Sequence, residues 1–278
     1  MTTTLRPTGP LQRQPDGGRA RAYDICDNGR PVGAVALATV PGAAWAGTVR
    51  ELRIDDAERR RGRGTVAALA AEEVLRGWEC TEVRIAVPSS ATAAGRLASA
   101  LGYTERSRNL AKRLTGEPPA LPPGTVGRPM TEGEFEHWSR HQGEGYARSW
   151  VAHGLTLGQA RAKMEADRAA LLPDGAATPG VHLETLEHEG VSVGTLWLGR
   201  REVLPGEPGL YVYDVEVAGA RRGEGHGRSL MLLAERCASA AGTRLIGLHV
   251  FADNTPALGL YTALGYRTTA VNSAKRLL

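Results

Sequence analysis

The chain repeats itself. Arg59-Arg60-Arg61-Gly62-Arg63-Gly64 and Arg222-Gly223-Glu224-Gly225-His226-Gly227 both read Arg-x-x-Gly-x-Gly and lie 163 positions apart. The same offset carries Leu101-Gly102-Tyr103 onto Leu264-Gly265-Tyr266, and Ala111-Lys112-Arg113-Leu114 onto Ala274-Lys275-Arg276-Leu277. Gly29 and Gly33 match Gly190 and Gly194 at an offset of 161, which a two-residue change in loop length accounts for. Recurrence at one spacing means that a single structural unit is built twice. The fold class is then that of one copy, and differences in chemistry between the copies are readable position by position.

A stretch with Pro118, Pro119, Pro122, Pro123 and Pro129 but no apolar periodicity separates the copies and reads as an extended linker. The expected organisation is a first domain at 1–116, a linker at 117–126 and a second domain at 127–278. In the second copy Thr131-x-x-Glu134 and Thr156-x-x-Gln159 are capping boxes, predicting helices to about His153 and about Leu172. Strands are predicted at 182–186, 191–198 and 210–217, with Glu189-Gly190 as a hairpin turn. A helix over 228–241, a buried strand over 245–251, a helix over 255–264 ended by Gly265 and a strand over 268–277 complete the order ααβββαβαβ. The first copy shows this order from Ala20 onward without the two leading helices, since Pro7, Pro10, Pro15 and Gly17-Gly18 oppose a long helix there.

Composition excludes several classes. Hydrophobic residues make up 42% of the chain, enough for ordinary cores, yet no run approaches the roughly 18 apolar residues that a membrane span needs. Residues 1–20 lack the apolar middle of a secretory signal, so the expected location is the cytoplasm. Three cysteines without a Cys-x-x-Cys pair fit reduced thiols rather than a disulfide framework or zinc site. A net charge of +4 without a basic stripe interleaved with aromatics argues against nucleic acid and for a localised anion site.

The repeated loop supplies that site. A glycine-rich turn between a strand and a helix aims several backbone N–H groups at one point, where the helix N-terminus adds partial positive charge. Gly225 and Gly227 let a phosphate approach closely, and Arg222 can cover another oxygen. There is no Gly-Lys-Ser/Thr ending for a nucleoside triphosphate and no strand-flanked Gly-x-Gly-x-x-Gly for a dinucleotide.

Tyr213-Asp-Val-Glu-Val217 running into this loop, followed by Asn254 and by Tyr261-Thr-Ala-Leu-Gly-Tyr266, resembles the GNAT N-acetyltransferases, over residues 127–278. The resemblance implies an α+β (α/β) fold of two tandem domains. Each would hold a mixed, mostly antiparallel sheet flanked by helices, with a splayed parallel strand pair. It also implies transfer of acetyl from acetyl-CoA to a primary amine, on a peptide N-terminus or a small metabolite or antibiotic. The diphosphate would lie on the backbone of Arg222, Gly223, Glu224, Gly225, His226, Gly227 and Arg228, and the pantetheine arm between the two parallel strands where they splay apart near Val217 and Val250. Asn254 would bond the pantetheine arm, and Tyr261 would protonate the departing thiolate. For the base, His249 stands first, at a spacing where some relatives that acetylate peptide N-termini carry a glutamate; Glu216 and Asp214, which alternation puts on one strand face, come second.

In the first copy Tyr261, Asn254 and His249 map onto Ala98, Ala91 and Ala86, which can neither give nor take a proton, while Arg59, Gly62 and Gly64 persist. The first domain is therefore expected to be degenerate, either structural or holding a second CoA without turnover. The competing reading is a non-catalytic CoA sensor or scaffold with two degenerate lobes. His137 and His141 have a metal-compatible spacing but no third ligand, so no metal is expected; Trp138 and Trp150 read as core and Tyr146 as a residue of the acceptor pocket. A monomer and a homodimer both remain open.

Overall fold

A computed structural model describes residues 3–140, 151 and 156–277. His141, Tyr146, Trp150 and the predicted helix end near His153 lie outside them. The chain forms two compact units: 3–108 with 251–253 and 268–277 in the first, and 109–250 with 254–267 in the second.

In unit 1, strands β1 (Thr3–Pro7), β3 (Arg19–Asp27), β4 (Arg30–Val40), β5 (Ala43–Ile54), β6 (Glu82–Pro88) and β13 (Arg267–Arg276) follow one another in the sheet, with the two-residue β2 (Gln12–Arg13) beside β3. All neighbours are antiparallel except β5 and β6. Helix α1 (Arg63–Gly77) lays Ala67, Ala71 and Leu75 onto Ile25, Val35, Leu37 and Val83, and α2 (Thr92–Ala100) follows β6. The sequence pattern predicted no element before Ala20. The alternating β1 nevertheless fills the edge beside β3, pairing Thr3 to Asp27 through Pro7 to Tyr23.

Unit 2 repeats the plan. Strands β8 (Thr125–Pro129), β9 (Val181–His188), β10 (Val191–Leu204), β11 (Glu207–Val217) and β12 (Leu245–Phe251) lie in that order, antiparallel except for β11 and β12. A helix over 132–140 (α3) and α4 (Leu157–Leu171) precede β9, both opened by the predicted capping boxes: Thr131 Oγ1 accepts from the Glu134 N–H at 3.3 Å, and Thr156 Oγ1 from the Gln159 N–H at 3.2 Å. Helix α5 (His226–Ala240) buries Leu230, Leu233 and Ala234 against Leu186, Leu196, Leu198, Leu210 and Leu248. Helix α6 (Thr255–Ala263) adds Tyr261 to the same core, and Gly265, at φ 86°, turns the chain after it.

The last strand of each repeat departs from the sequence expectation. Residues 268–277 were expected to close the second copy, yet β13 pairs with β6 from Ala270–Pro88 to Arg276–Glu82 in unit 1. Strand β7 (Thr104–Arg113) passes into unit 2 from Asn109 onward, where Leu110 and Leu114 join the core. The lysines show the exchange: Lys275 Nζ donates to Glu72 on α1 at 2.7 Å, and Lys112 Nζ donates to Glu235 on α5 at 2.6 Å. Both glutamates are buried, and either strand carries the lysine that meets a buried carboxylate. A pattern that is the same in the two copies cannot say which copy a strand completes.

Candidate active site

Asp214, Glu216, Val217, the loop at 222–228, His249, Asn254 and Tyr261 all fall in unit 2. Between β11 and α5 the chain takes left-handed turns at Gly223 (φ 84°) and Gly225 (φ 88°), and Gly225 is the N-cap of α5 with no side chain capping it. A Cβ at Gly223 or Gly225 would meet open space, so conformation and access, not crowding, call for glycine. No described residue accepts a hydrogen bond from the N–H groups of 223–227. They form a concave row of donors at a helix N-terminus, which suits a phosphate or diphosphate. Arg222 Nε donates to the Val217 carbonyl at 3.4 Å and braces the strand end against the loop. Glu224 is held below its usual carboxylate range by Arg221 at 2.9 Å, and it also lies 3.3 Å from His226 Nε2. His226 is buried, its ring tilted 53° to that of His188 with centroids 5.2 Å apart.

Parallel pairing of β11 with β12 covers only Leu210–Ile246, Tyr211–Gly247 and Val212–Leu248, although the strands continue to Val217 and Phe251. The strands separate at this point and leave backbone without a sheet partner. A bulge on the other side of β11 explains how that segment acquires its chemistry. Trp197 faces Asp214 whereas Leu198 faces Val212, so Tyr213 is the extra residue. Without it, the alternation that buries Leu210 and Val212 would drive Asp214 and Glu216 into the same core. With it, Val215 and Val217 continue the core face and the two carboxylates turn to the other side.

On that side lies a cavity of about 350 Å³, lined by Gly133, Glu134, His137, Trp138, Thr185, Ser192, Thr195 and Glu216. Trp138 Nε1–H donates to Asp214 Oδ2 at 3.4 Å, while its ring packs edge-on against Trp197. Trp138 is thus core, as expected, and also anchors a carboxylate, which no sequence signal announced. Glu134 is pulled down to about 2 by Arg128, which donates to it at 2.7 Å, so its charge is already answered. Burial, then the neighbouring Glu216 charge, push Asp214 up to about 6. Tyr261 is pushed up to about 12 by burial and by the charge of Asp214, and keeps its phenolic proton at any physiological pH. Asn254 caps α6, its Oδ1 accepting from the Ala257 N–H at 3.2 Å. His249 is exposed between the buried Leu248 and Val250 and does not line the cavity.

In unit 1 the corresponding loop keeps its backbone. Arg60 takes φ 60° where the second copy has Gly223, Gly62 takes φ 76°, and Arg59 Nε donates to the Ile54 carbonyl at 2.9 Å. Arg63, at the place of His226, is buried and tied to both Asp27 and Glu58. A cavity of about 280 Å³ lined by Val87, Ala91, Ala98 and Tyr103 lies where the second copy carries Asn254 and Tyr261.

Among the described residues no helix is long and apolar enough to cross a membrane. The sequence matches the acetyltransferase (GNAT) family twice, over residues 3–103 and 147–266. The uncharacterized N-acetyltransferase YycN of Bacillus subtilis is 31% identical over 151 residues, 54% of this chain and 96% of its own length. Mycothiol acetyltransferase of Saccharomonospora viridis is 29% identical over 288 residues, covering 95% of this chain and 86% of its own. The crystal structure of a GCN5-related N-acetyltransferase from Sphaerobacter thermophilus superposes with a TM-score of 0.59 at 20% identity, covering 92% of this chain and 80% of that one.

Proposed function

The chain belongs to the GNAT acetyltransferase family, and from that premise we propose that unit 2 transfers acetyl from acetyl-CoA to a primary amine in the cavity beside Asp214 and Glu216. One observation carries this reading: where β11 and β12 separate, an acidic pair stands close enough for the Asp214 charge to act on a protonated phenol, and the strand end leads into a row of N–H donors that no described residue engages. The donors at 223–227, with Arg222 and Arg228, suit the diphosphate, and Val217 and the Asn254 amide suit the pantetheine arm. Bound there, acetyl-CoA supplies the acyl group and a thiolate leaving group.

The chain's own residues then manage two protons. The attacking amine forms the C–N bond and must lose a proton; Asp214, with a pKa about 6, is ionised at neutral pH and basic enough to accept it, directly or through Glu216 at the cavity wall. The Trp138 N–H holds Asp214 in place. As the C–S bond breaks, the Tyr261 hydroxyl supplies the proton to sulfur. We rank the acidic pair ahead of His249, because Glu216 lines the cavity and His249 does not.

The acceptor is a cationic amine of modest size, drawn by carboxylates that no arginine among the described residues pairs with. The name of the Saccharomonospora relative puts mycothiol-type amines in the test panel beside peptide N-termini and amine antibiotics. Unit 1, with alanines at 86, 91 and 98, is non-catalytic and holds a second CoA on its retained loop. We assign the reaction to the cytoplasm, on the lack of an apolar stretch in residues 1–20 that a secretory signal would need. CoA release with such a panel tests the reading: turnover with at least one amine, reduced about 10²- to 10⁴-fold in Tyr261→Phe, is expected. CoA binding with no release for any amine would favour the sensor or scaffold reading.

A further inference from the structure

On the opposite face of β9 from the acceptor cavity, His182 and Glu184 point at α5, and Cys237 points back at them. One imidazole nitrogen, one carboxylate oxygen and the sulfur all lie within 4.8 Å of one another. From this convergence we propose that His182, Glu184 and Cys237 form a zinc site that clamps β9 to α5.

Three features support it. First, the donor set is right. A thiolate, an imidazole and a carboxylate are the ligand types zinc takes at about 2.0–2.3 Å, with water filling a fourth position, and tetrahedral geometry puts donors roughly 3.5 Å apart. Magnesium and calcium, which prefer oxygen alone, are disfavoured by the sulfur.

Second, Glu184 is only 8% exposed and has no hydrogen bond or ion pair to any described residue through its side chain. A buried carboxylate without a partner is costly, and such groups in native proteins are paired or coordinate metals. Arg200 lies close enough to act on His182 electrostatically, yet its guanidinium donates to the Ala241 carbonyl at 3.1 Å and not to Glu184.

Third, the molecule contains its own control. The β-sheet register equates Glu184, opposite Leu196, with Tyr23, opposite Val35. The offset of 163 equates Cys237 with Val74, and the offset of 161 that holds before the loop equates His182 with Arg21. In unit 1 Tyr23 and Val74 pack into the core at this place, so the fold does not require polar groups there. The three donors come from two elements more than fifty residues apart, which is why the absence of a Cys-x-x-Cys pair hid them. On coordination the thiol's S–H bond is replaced by an S–Zn bond and the proton passes to solvent.

The test uses the untagged full chain, stripped with a chelator and returned to metal-free buffer. Zinc chloride is titrated against a chromophoric competitor, and cobalt(II) replaces zinc for spectroscopy. The expected result is one tightly bound equivalent of zinc and a thiolate-to-cobalt charge-transfer band that vanishes in Cys237→Ser. His182→Gln, at a half-buried strand position, and Glu184→Gln should each weaken zinc at least the roughly 10- to 100-fold that loss of even an outer partner costs. Acetyl-CoA binding and far-ultraviolet circular dichroism serve as folding controls; if Glu184→Gln fails them, His182→Gln and Cys237→Ser decide the matter. Failure of the parent chain to compete for zinc, or a Cys237→Ser variant that binds zinc and cobalt as the parent does, would overturn the site.

Discussion

Lysine 275 offers a direct handle on the exchanged strands. Its ammonium lies 2.7 Å from a Glu72 carboxylate that is 3% exposed, while the lysine keeps about a quarter of its side chain in water. At that separation the gross attraction is about 6 kcal/mol for an effective dielectric of 20, most of it offset by desolvation of the two groups. Lys275→Ala removes the attraction but leaves the carboxylate buried. The usual cost of such a deletion is about 3–5 kcal/mol, and water reaching the partly exposed site puts this one near the lower end. Glu72→Gln in the same chain removes the stranded charge, so the double variant should recover at least half of the loss. Urea unfolding followed by the fluorescence of Trp78, which packs on the unit 1 core, reads the effect where it is expected. Lys112→Ala, severing the pair with Glu235, should instead lower the stability of unit 2. Lys275→Ala leaving unit 1 unchanged while destabilising unit 2 would refute the assignment of β13 to unit 1.

Two further predictions concern the site. Asp214→Asn should lower kcat/KM by about 10²- to 10⁴-fold and abolish the rise in rate through pH 6 that is expected of the parent as this carboxyl ionises. Because the folded protein holds Asp214 above its ordinary value of 3.8, the native state binds the proton better than the unfolded chain. Its contribution to stability is present at low pH and is lost as pH rises through about 6; thermal melts of the Asn variant should lack that decline. Gly225→Ala forces a Cβ into the left-handed region, at about 1–2 kcal/mol, and should weaken CoA binding by calorimetry more than it lowers the melting temperature. An equal loss of stability with CoA affinity intact would separate this turn from ligand binding.

Much of this was legible before any coordinates. The repeat shows when the chain is compared with itself, and the capping boxes at Thr131 and Thr156, the buried strand at 245–251 and the Gly265 stop are local signals, written in residue types that act within a few positions. The loop at 222–228 was legible for the same reason: glycine is needed where φ is positive. What escaped was non-local. Alternation alone groups Asp214 with Glu216 but cannot reveal that the bulge at Tyr213 turns both away from the core that receives Val212. The indole donor of Trp138 depends on a contact between residues 76 positions apart. The fate of β13 depends on which of two similar sheets it joins, and its sequence is compatible with either. The same holds for His182, Glu184 and Cys237, which only the register of β9 under α5 brings together.

Amide hydrogen exchange across residues 223–227, measured with and without acetyl-CoA, tests the account at its centre. No described residue accepts from these N–H groups in the protein alone, so they should exchange quickly, and binding should slow them together because the diphosphate becomes their acceptor. Unchanged exchange in this loop at saturating acetyl-CoA, with protection appearing elsewhere, would contradict it.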